Sequence, residues 1–174
     1  SVNNQSLGVC YAAGISGGPL TVTAQFTAGP STYRRILIHQ YRGVATSNPV
    51  DVTIGQVATA STALNNVTTT SVSTNVAGAL LFGAVMDDAG TNTSQPGSGF
   101  TMRASVNGRD LASEDRVATT AGSVAATWTF SAAHRYLTRL VAFKPAAGGS
   151  SDATSPVING VSSNNITTTT ATIV

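Results

Sequence analysis

Glutamate and lysine each occur once, as Glu114 and Lys144, and charged residues make up only 9% of the 174-residue chain. Exposed helix faces are built mainly from Glu, Lys, Gln and Arg, so this chain has little with which to surface helices. Nine basic residues against seven acidic ones give a net charge of +2. The basic residues are scattered, which argues against the concentrated stripe that nucleic-acid recognition needs. Cysteine also occurs once. Cys10 therefore has no partner for an intrachain disulfide, and its setting Leu7-Gly8-Val9-Cys10-Tyr11-Ala12-Ala13 reads as a small buried side chain on a strand. Only two imidazoles are present, His39 and His134, and no further Cys, His or carboxylate stands at zinc-ligand spacing from them. No apolar run approaches the ~18 residues of a membrane-spanning helix.

What is abundant is threonine, 26 residues, within a chain that is 41% hydrophobic. β-Branched side chains lose little rotamer freedom on a pleated surface. An all-β, antiparallel sandwich of the jelly-roll kind is the expected architecture. Strands are expected at Leu7–Ala13, Leu20–Phe26, Tyr33–Arg42, Asp51–Ala58, Thr69–Val76, Ala79–Met86, Gly99–Ser105, Ser123–Phe130 and Arg135–Lys144. Gly17-Gly18-Pro19, Gly29-Pro30, Asn48-Pro49 and Asn107-Gly108 punctuate them with turn-forming residues. Leu20, Val22, Ala24 and Phe26 alternate with polar residues, as on a half-solvated strand, and Trp128 and Phe130 alternate with Thr as candidate core anchors. Ile36–Ile38 and Ala79–Phe82 are continuous apolar runs, expected to be central strands covered on both faces.

The composition changes near Lys144. Residues 145–156 are rich in Pro, Gly and Ser and read as a linker between a sandwich domain, 1–144, and a carboxy-terminal β segment, 157–174. Eighteen residues cannot bury a core of their own, and an isolated two-stranded hairpin is marginal in water.

Residues 7–145 resemble the jelly-roll, concanavalin-like sandwich domains of large secreted bacterial multidomain proteins. The resemblance lies in Tyr33-Arg34, Tyr41-Arg42-Gly43-Val44, Asn48-Pro49, Leu81-Phe82-Gly83, Gly99-Phe100-Thr101, Glu114-Asp115-Arg116, Ala125-Ala126-Thr127-Trp128 and Val141-Ala142-Phe143-Lys144-Pro145, in that order. The tail, Ser155-Pro156-Val157-Ile158 through Ile166–Ile173, is similar to the opening strands of a fibronectin type III module. The resemblance implies an extracellular, modular protein, with further sandwich strands expected before Ser1 and the remainder of the second module after Val174.

Candidate chemistry is sparse. Gly14-Ile15-Ser16-Gly17-Gly18 has the spacing of a serine nucleophile elbow, but Pro19 and an alternating strand follow where the mechanism needs a helix. A glycine-rich turn explains it better. His39 reads as a hydrogen-bonded structural histidine and His134 as an exposed loop residue. Glu114-Asp115-Arg116 reads as local ion pairs, each worth ~0–1 kcal/mol if exposed, and adjacent carboxylates on a strand face opposite sides. Asp87-Asp88, placed in a loop with Asn92, is the one candidate cation site, since carboxylate, amide and carbonyl oxygens are Ca²⁺ ligands. No other cofactor is implied. Four Asn-x-Ser/Thr sequons begin at Asn4, Asn66, Asn92 and Asn165.

These observations point away from an enzyme and toward an extracellular structural or adhesive sandwich. Homo-oligomerisation is expected through donation of the carboxy-terminal strand, by way of Val157, Ile158, Val161, Ile166, Thr168, Thr170, Thr172 and Val174. Head-to-tail donation does not close and propagates into a filament. A carbohydrate-binding module with a polysaccharide partner is the alternative.

Overall fold

The computed structural model describes residues 5–16, 20–24, 35–57, 64–87, 93–106, 111–148 and 169–173. Its strands are β1 (Leu20–Ala24), β2 (Val50–Val57), β3 (Leu64–Thr68), β4 (Val72–Thr74), β5 (Ala79–Asp87), β6 (Ser94–Pro96), β7 (Thr101–Ser105), β8 (Leu111–Ala118), β9 (Gly122–Val124), β10 (Thr127–His134), β11 (Tyr136–Phe143) and β12 (Thr169–Ile173). No helix occurs among the described residues, so none there is long and apolar enough to cross a membrane. Every strand pairing is antiparallel. The expected all-β architecture is the observed one.

A five-stranded sheet, β2-β11-β5-β8-β7, lies against a three-stranded sheet, β3-β10-β6. Between them Leu81, Val85, Leu140 and Ala142 meet Val67, Trp128 and Phe130. Trp128 and Phe130 are the core anchors their alternation suggested, 1% and 7% exposed. Gly83 is what lets Trp128 approach the larger sheet: a Cβ there would stand 3.0 Å from the indole and 3.1 Å from Ala126 and Glu114.

β5 and β11 sit at the centre of the five-stranded sheet, and their apolar runs are buried on both faces, as expected of Ala79–Phe82. On the outer face Leu80, Phe82, Ala84, Val141 and Phe143 pack with Leu7, Val9, Tyr41, Val44 and Val50. The segments predicted as strands at Leu7–Ala13 and Tyr33–Arg42 supply that cover without forming strands where they are described. Their apolar, β-branched composition reflects a half-buried surface, a demand that a cover strip meets as well as a ladder does. Cys10 accordingly lies exposed and outside any strand, not buried on one.

Other boundaries move for local reasons. Ser123–Phe130 is broken into β9 and β10, and Thr69–Val76 shrinks to β4. At these breaks threonine hydroxyls replace ladder bonds. Ala126 N–H donates to Thr69 Oγ1 at 3.0 Å, and Gly122 N–H donates to Thr74 Oγ1 at 3.1 Å. His134, expected as an exposed loop residue, is the half-buried last residue of β10, where the chain crosses from the smaller sheet to the larger. Tyr136 secures that crossing by stacking on Phe130, centroids 4.1 Å apart, and donating to Ala132 O at 3.0 Å. Asn48, with φ of 47°, makes the turn expected before Pro49, and Gly14, with φ of 67°, makes one in the Gly-Ile-Ser-Gly-Gly stretch.

β1 and β12 form a separate two-stranded ribbon in register Leu20↔Ile173 to Ala24↔Thr169. The carboxy-terminal segment, expected to be donated to another copy, thus has a strand partner, β1, within its own chain. β1 is the alternating strand, and β12 is the Thr-rich segment opposite it. The remaining tail residues named as interaction positions, Val157, Ile158, Val161, Ile166, Thr168 and Val174, lie outside the described residues.

Candidate functional site

Ser113, Glu114 and Asp115, three successive buried polar residues, lie on β8, Leu111–Ala118, between β5 and β7 in the larger sheet. The sequence Leu-Ala-Ser-Glu-Asp-Arg-Val-Ala does not look like a central strand, because its middle is charged. Strand alternation sends Ser113 and Asp115 to the outer face and Ala112, Glu114 and Arg116 toward the inter-sheet core. The two adjacent carboxylates do face opposite sides. They are not exposed, however: Glu114 and Asp115 are each 0% exposed.

Asp115 is neutralised from a neighbouring strand, not by the adjacent Arg116. Arg103 Nε and Nη2 reach its carboxylate at 2.8 Å in a forked pair. Arg103 sits where β7 slips register between Met102 and Ala104, and such a bulge re-aims a side chain. Tyr41 Oη donates to Asp115 Oδ2 at 2.6 Å. Burial, the bond to Asp115 and that carboxylate's charge all raise the Tyr41 pKa, so the phenol stays protonated. The bond to Asp115 likewise raises the Arg103 pKa.

His39 lies alongside. Its Nε2 is 3.1 Å from Ser113 Oγ, its ring stacks near Tyr41 and meets Phe82 edge-on at 5.0 Å. Burial lowers the His39 pKa to about 4, against a raising effect of Asp115, so the ring is neutral at pH 7. Serine, histidine and aspartate are therefore close, but not in the order that activates a nucleophile. His39 Nδ1 has no partner among the described residues, Asp115 is held by Tyr41 and Arg103, and Ser113 is 1% exposed. The arrangement pins residues 39–41 to the sheet. His39 is the hydrogen-bonded structural histidine that its apolar setting suggested.

On the inner face Glu114 accepts from Gly97 N–H at 2.8 Å, while Glu114 Oε1 and Trp128 Nε1 are buried without a partner among the described residues. Desolvation raises the Glu114 pKa to about 7, opposed by the Gly97 and Thr127 amides. Arg116 lies over the Phe100 ring, 4.8 Å from its centroid.

Of the candidate cation ligands, Asp87 is the last residue of β5, buried at 3% and paired with Tyr136, not a loop residue. Asp88 and Asn92 lie outside the described residues, and no group of three or more His, Cys, Asp or Glu that could hold a metal occurs among the described ones. Thr170 and Thr172 stand opposite Thr23 and Thr21 in the ribbon. Asn66 is the one sequon asparagine among the described residues and is exposed on β3.

The outer surface of the smaller sheet carries a row of polar side chains. Asn66, Thr129 and Gln95 form a row across β3, β10 and β6, and all three are exposed. Thr129 Oγ1 donates to Asn66 Oδ1 at 3.2 Å. Thr68 and Thr127 form the adjacent row, with Ser131 beyond the first on β10. No family model, curated protein or solved structure matches the chain.

Proposed function

We propose that this chain is a non-catalytic, extracellular structural or adhesive module that self-assembles by exchanging β12 between copies. The observation behind the reading is the isolation of the β1·β12 ribbon. Among the described residues the two strands hydrogen-bond only to each other, apart from both sheets. A ribbon of five residue pairs is marginal alone, and its two strands belong to opposite ends of the chain. Residues 145–156, rich in Pro, Gly and Ser, precede β12. The same ladder re-forms when β12 of one copy meets β1 of the next, with no loss of backbone pairing. Reciprocal exchange closes a dimer, and head-to-tail exchange extends a filament. The jelly-roll and fibronectin-like assignments, and the placement outside the cell, rest on the resemblance described above.

The test uses the facing pair Thr21 and Thr172, changed together to cysteine in a Cys10→Ser background, with Val22 and Ala171 as the next facing pair. Directly opposite strand residues lie within disulfide reach. Exchange predicts covalent dimers and higher species on oxidation, growing with protein concentration. Exclusively intrachain disulfides, together with a monomer by light scattering at every concentration, would refute it.

A further inference from the structure

A separate feature lies inside the molecule and does not depend on strand exchange. Three polar atoms of the inter-sheet core are buried without a hydrogen-bond partner among the described residues: Glu114 Oε1, Trp128 Nε1 and Arg116 Nε. From these we infer an internal binding site for one water molecule, which accepts from Trp128 Nε1 and Arg116 Nε and donates to Glu114 Oε1. The groups share one neighbourhood. Trp128 Cζ2, on the nitrogen-bearing edge of the indole, and Glu114 Cγ lie 3.0 and 3.1 Å from the same point, the position a Gly83 Cβ would take. Thr127, which precedes Trp128, directs its amide at the same carboxylate. Arg116 is two residues beyond Glu114 on the same face of β8, and its charge acts on that carboxylate. Gly97 N–H already holds Oε2 at 2.8 Å, so Oε1 is the oxygen left to serve the site.

The inventory of donors and acceptors selects the occupant. Indole and guanidinium N–H groups only donate, and an ionised carboxylate oxygen only accepts. A direct bond from Trp128 Nε1 to Glu114 Oε1 would satisfy two of the three atoms and leave Arg116 Nε alone, and the structure makes no such bond. Water can accept two hydrogen bonds and donate two, and buried waters typically make about three, to groups the protein leaves unpaired. The two N–H donors would repel a metal cation, and the carboxylate would repel an anion. Bulk solvent has no access, since Glu114 is 0% and Trp128 1% exposed. The water is therefore part of the core and stays longer than surface hydration does. It also links the two sheets, because Glu114 belongs to β8 and Trp128 to β10.

The probe is water itself. Trp128 is the only tryptophan, so its indole N–H gives a single cross-peak in the nuclear magnetic resonance spectrum of the isotope-labelled full chain. NOE and ROE spectra between that proton and water would be recorded at pH 8, above the Glu114 pKa of about 7. The expected result is cross-relaxation of opposite sign in the two spectra, the signature of a long-resident molecule. It should be lost in Glu114→Met while the indole peak is retained. A high-resolution crystal structure of the unaltered chain should show an ordered oxygen within about 3.2 Å of both Trp128 Nε1 and Glu114 Oε1. That structure decides the matter if Glu114→Met does not fold. No cross-relaxation in the unaltered chain, a protein group bonded to Nε1 in the crystal, or undiminished cross-relaxation in Glu114→Met would overturn the assignment.

Discussion

Tyr41 and Asp115, 74 residues apart, are joined by a 2.6 Å hydrogen bond on the outer face of the larger sheet. That bond ties an irregular cover segment to β8, while Arg103 holds the same carboxylate from the side. The two partners differ in what their loss leaves behind. Tyr41→Phe removes one bond to a charged group that keeps its counter-ion, an expected cost of about 1.5–3 kcal/mol. Arg103→Ala strips the counter-ion from a carboxylate that is 0% exposed, an expected cost of about 3–5 kcal/mol. Urea unfolding of both variants checks the order, and equal or reversed costs would contradict it.

Stability should respond to pH through two groups of opposite sign. The folded pKa of His39, about 4, lies below its ordinary 6.5, so its contribution is complete above pH 6.5 and lost as pH falls toward 4. Asp115, Arg103, Tyr41 and Ser113 surround this ring. The folded pKa of Glu114, about 7, lies above its ordinary 4.5, so its contribution is complete below pH 4.5 and lost as pH rises through 7. The two slopes oppose each other between 4.5 and 6.5. Glu114→Gln should leave stability rising with pH across that window, and His39→Gln should leave it falling. Unfolding free energies measured from pH 4 to 8 decide the matter, and parallel slopes in the two variants would contradict it.

Gly83→Ala tests the approach of the sheets. The added methyl meets the Trp128 ring at 3.0 Å and Ala126 and Glu114 at 3.1 Å, on a strand buried on both faces. Overpacking of about 1–3 kcal/mol is expected, with a change in Trp128 fluorescence. An unchanged midpoint and emission spectrum would mean that the indole is not seated there.

Thr69→Val keeps shape and removes one hydroxyl. Ala126 N–H, buried at the break between β9 and β10, then loses its acceptor. The expected cost is about 1–3 kcal/mol, against less than about 0.5 kcal/mol for Thr129→Val on the exposed face. Paired thermal melts measure the contrast.

Composition and alternation were enough to read an all-β chain, the core positions of Trp128 and Phe130, and the central place of Ala79–Phe82. Those features depend on propensity and on a period of two residues, both local. β8 was not legible, because a charged strand reads as buried only once Arg103, Tyr41 and Gly97 are known to meet it from elsewhere in the chain. Cys10 and residues 35–42 mislead for the converse reason: a cover strip has the side chains of a strand without its ladder. The polar row across the smaller sheet was hidden as well, since Asn66, Gln95 and Thr129 are ordinary polar residues until strand register sets them side by side. Local pattern tells a residue which way to face along its own strand. Which strand lies next to it depends on contacts between distant parts of the chain, and those decide where a buried charge finds its partner and where a polar surface becomes continuous.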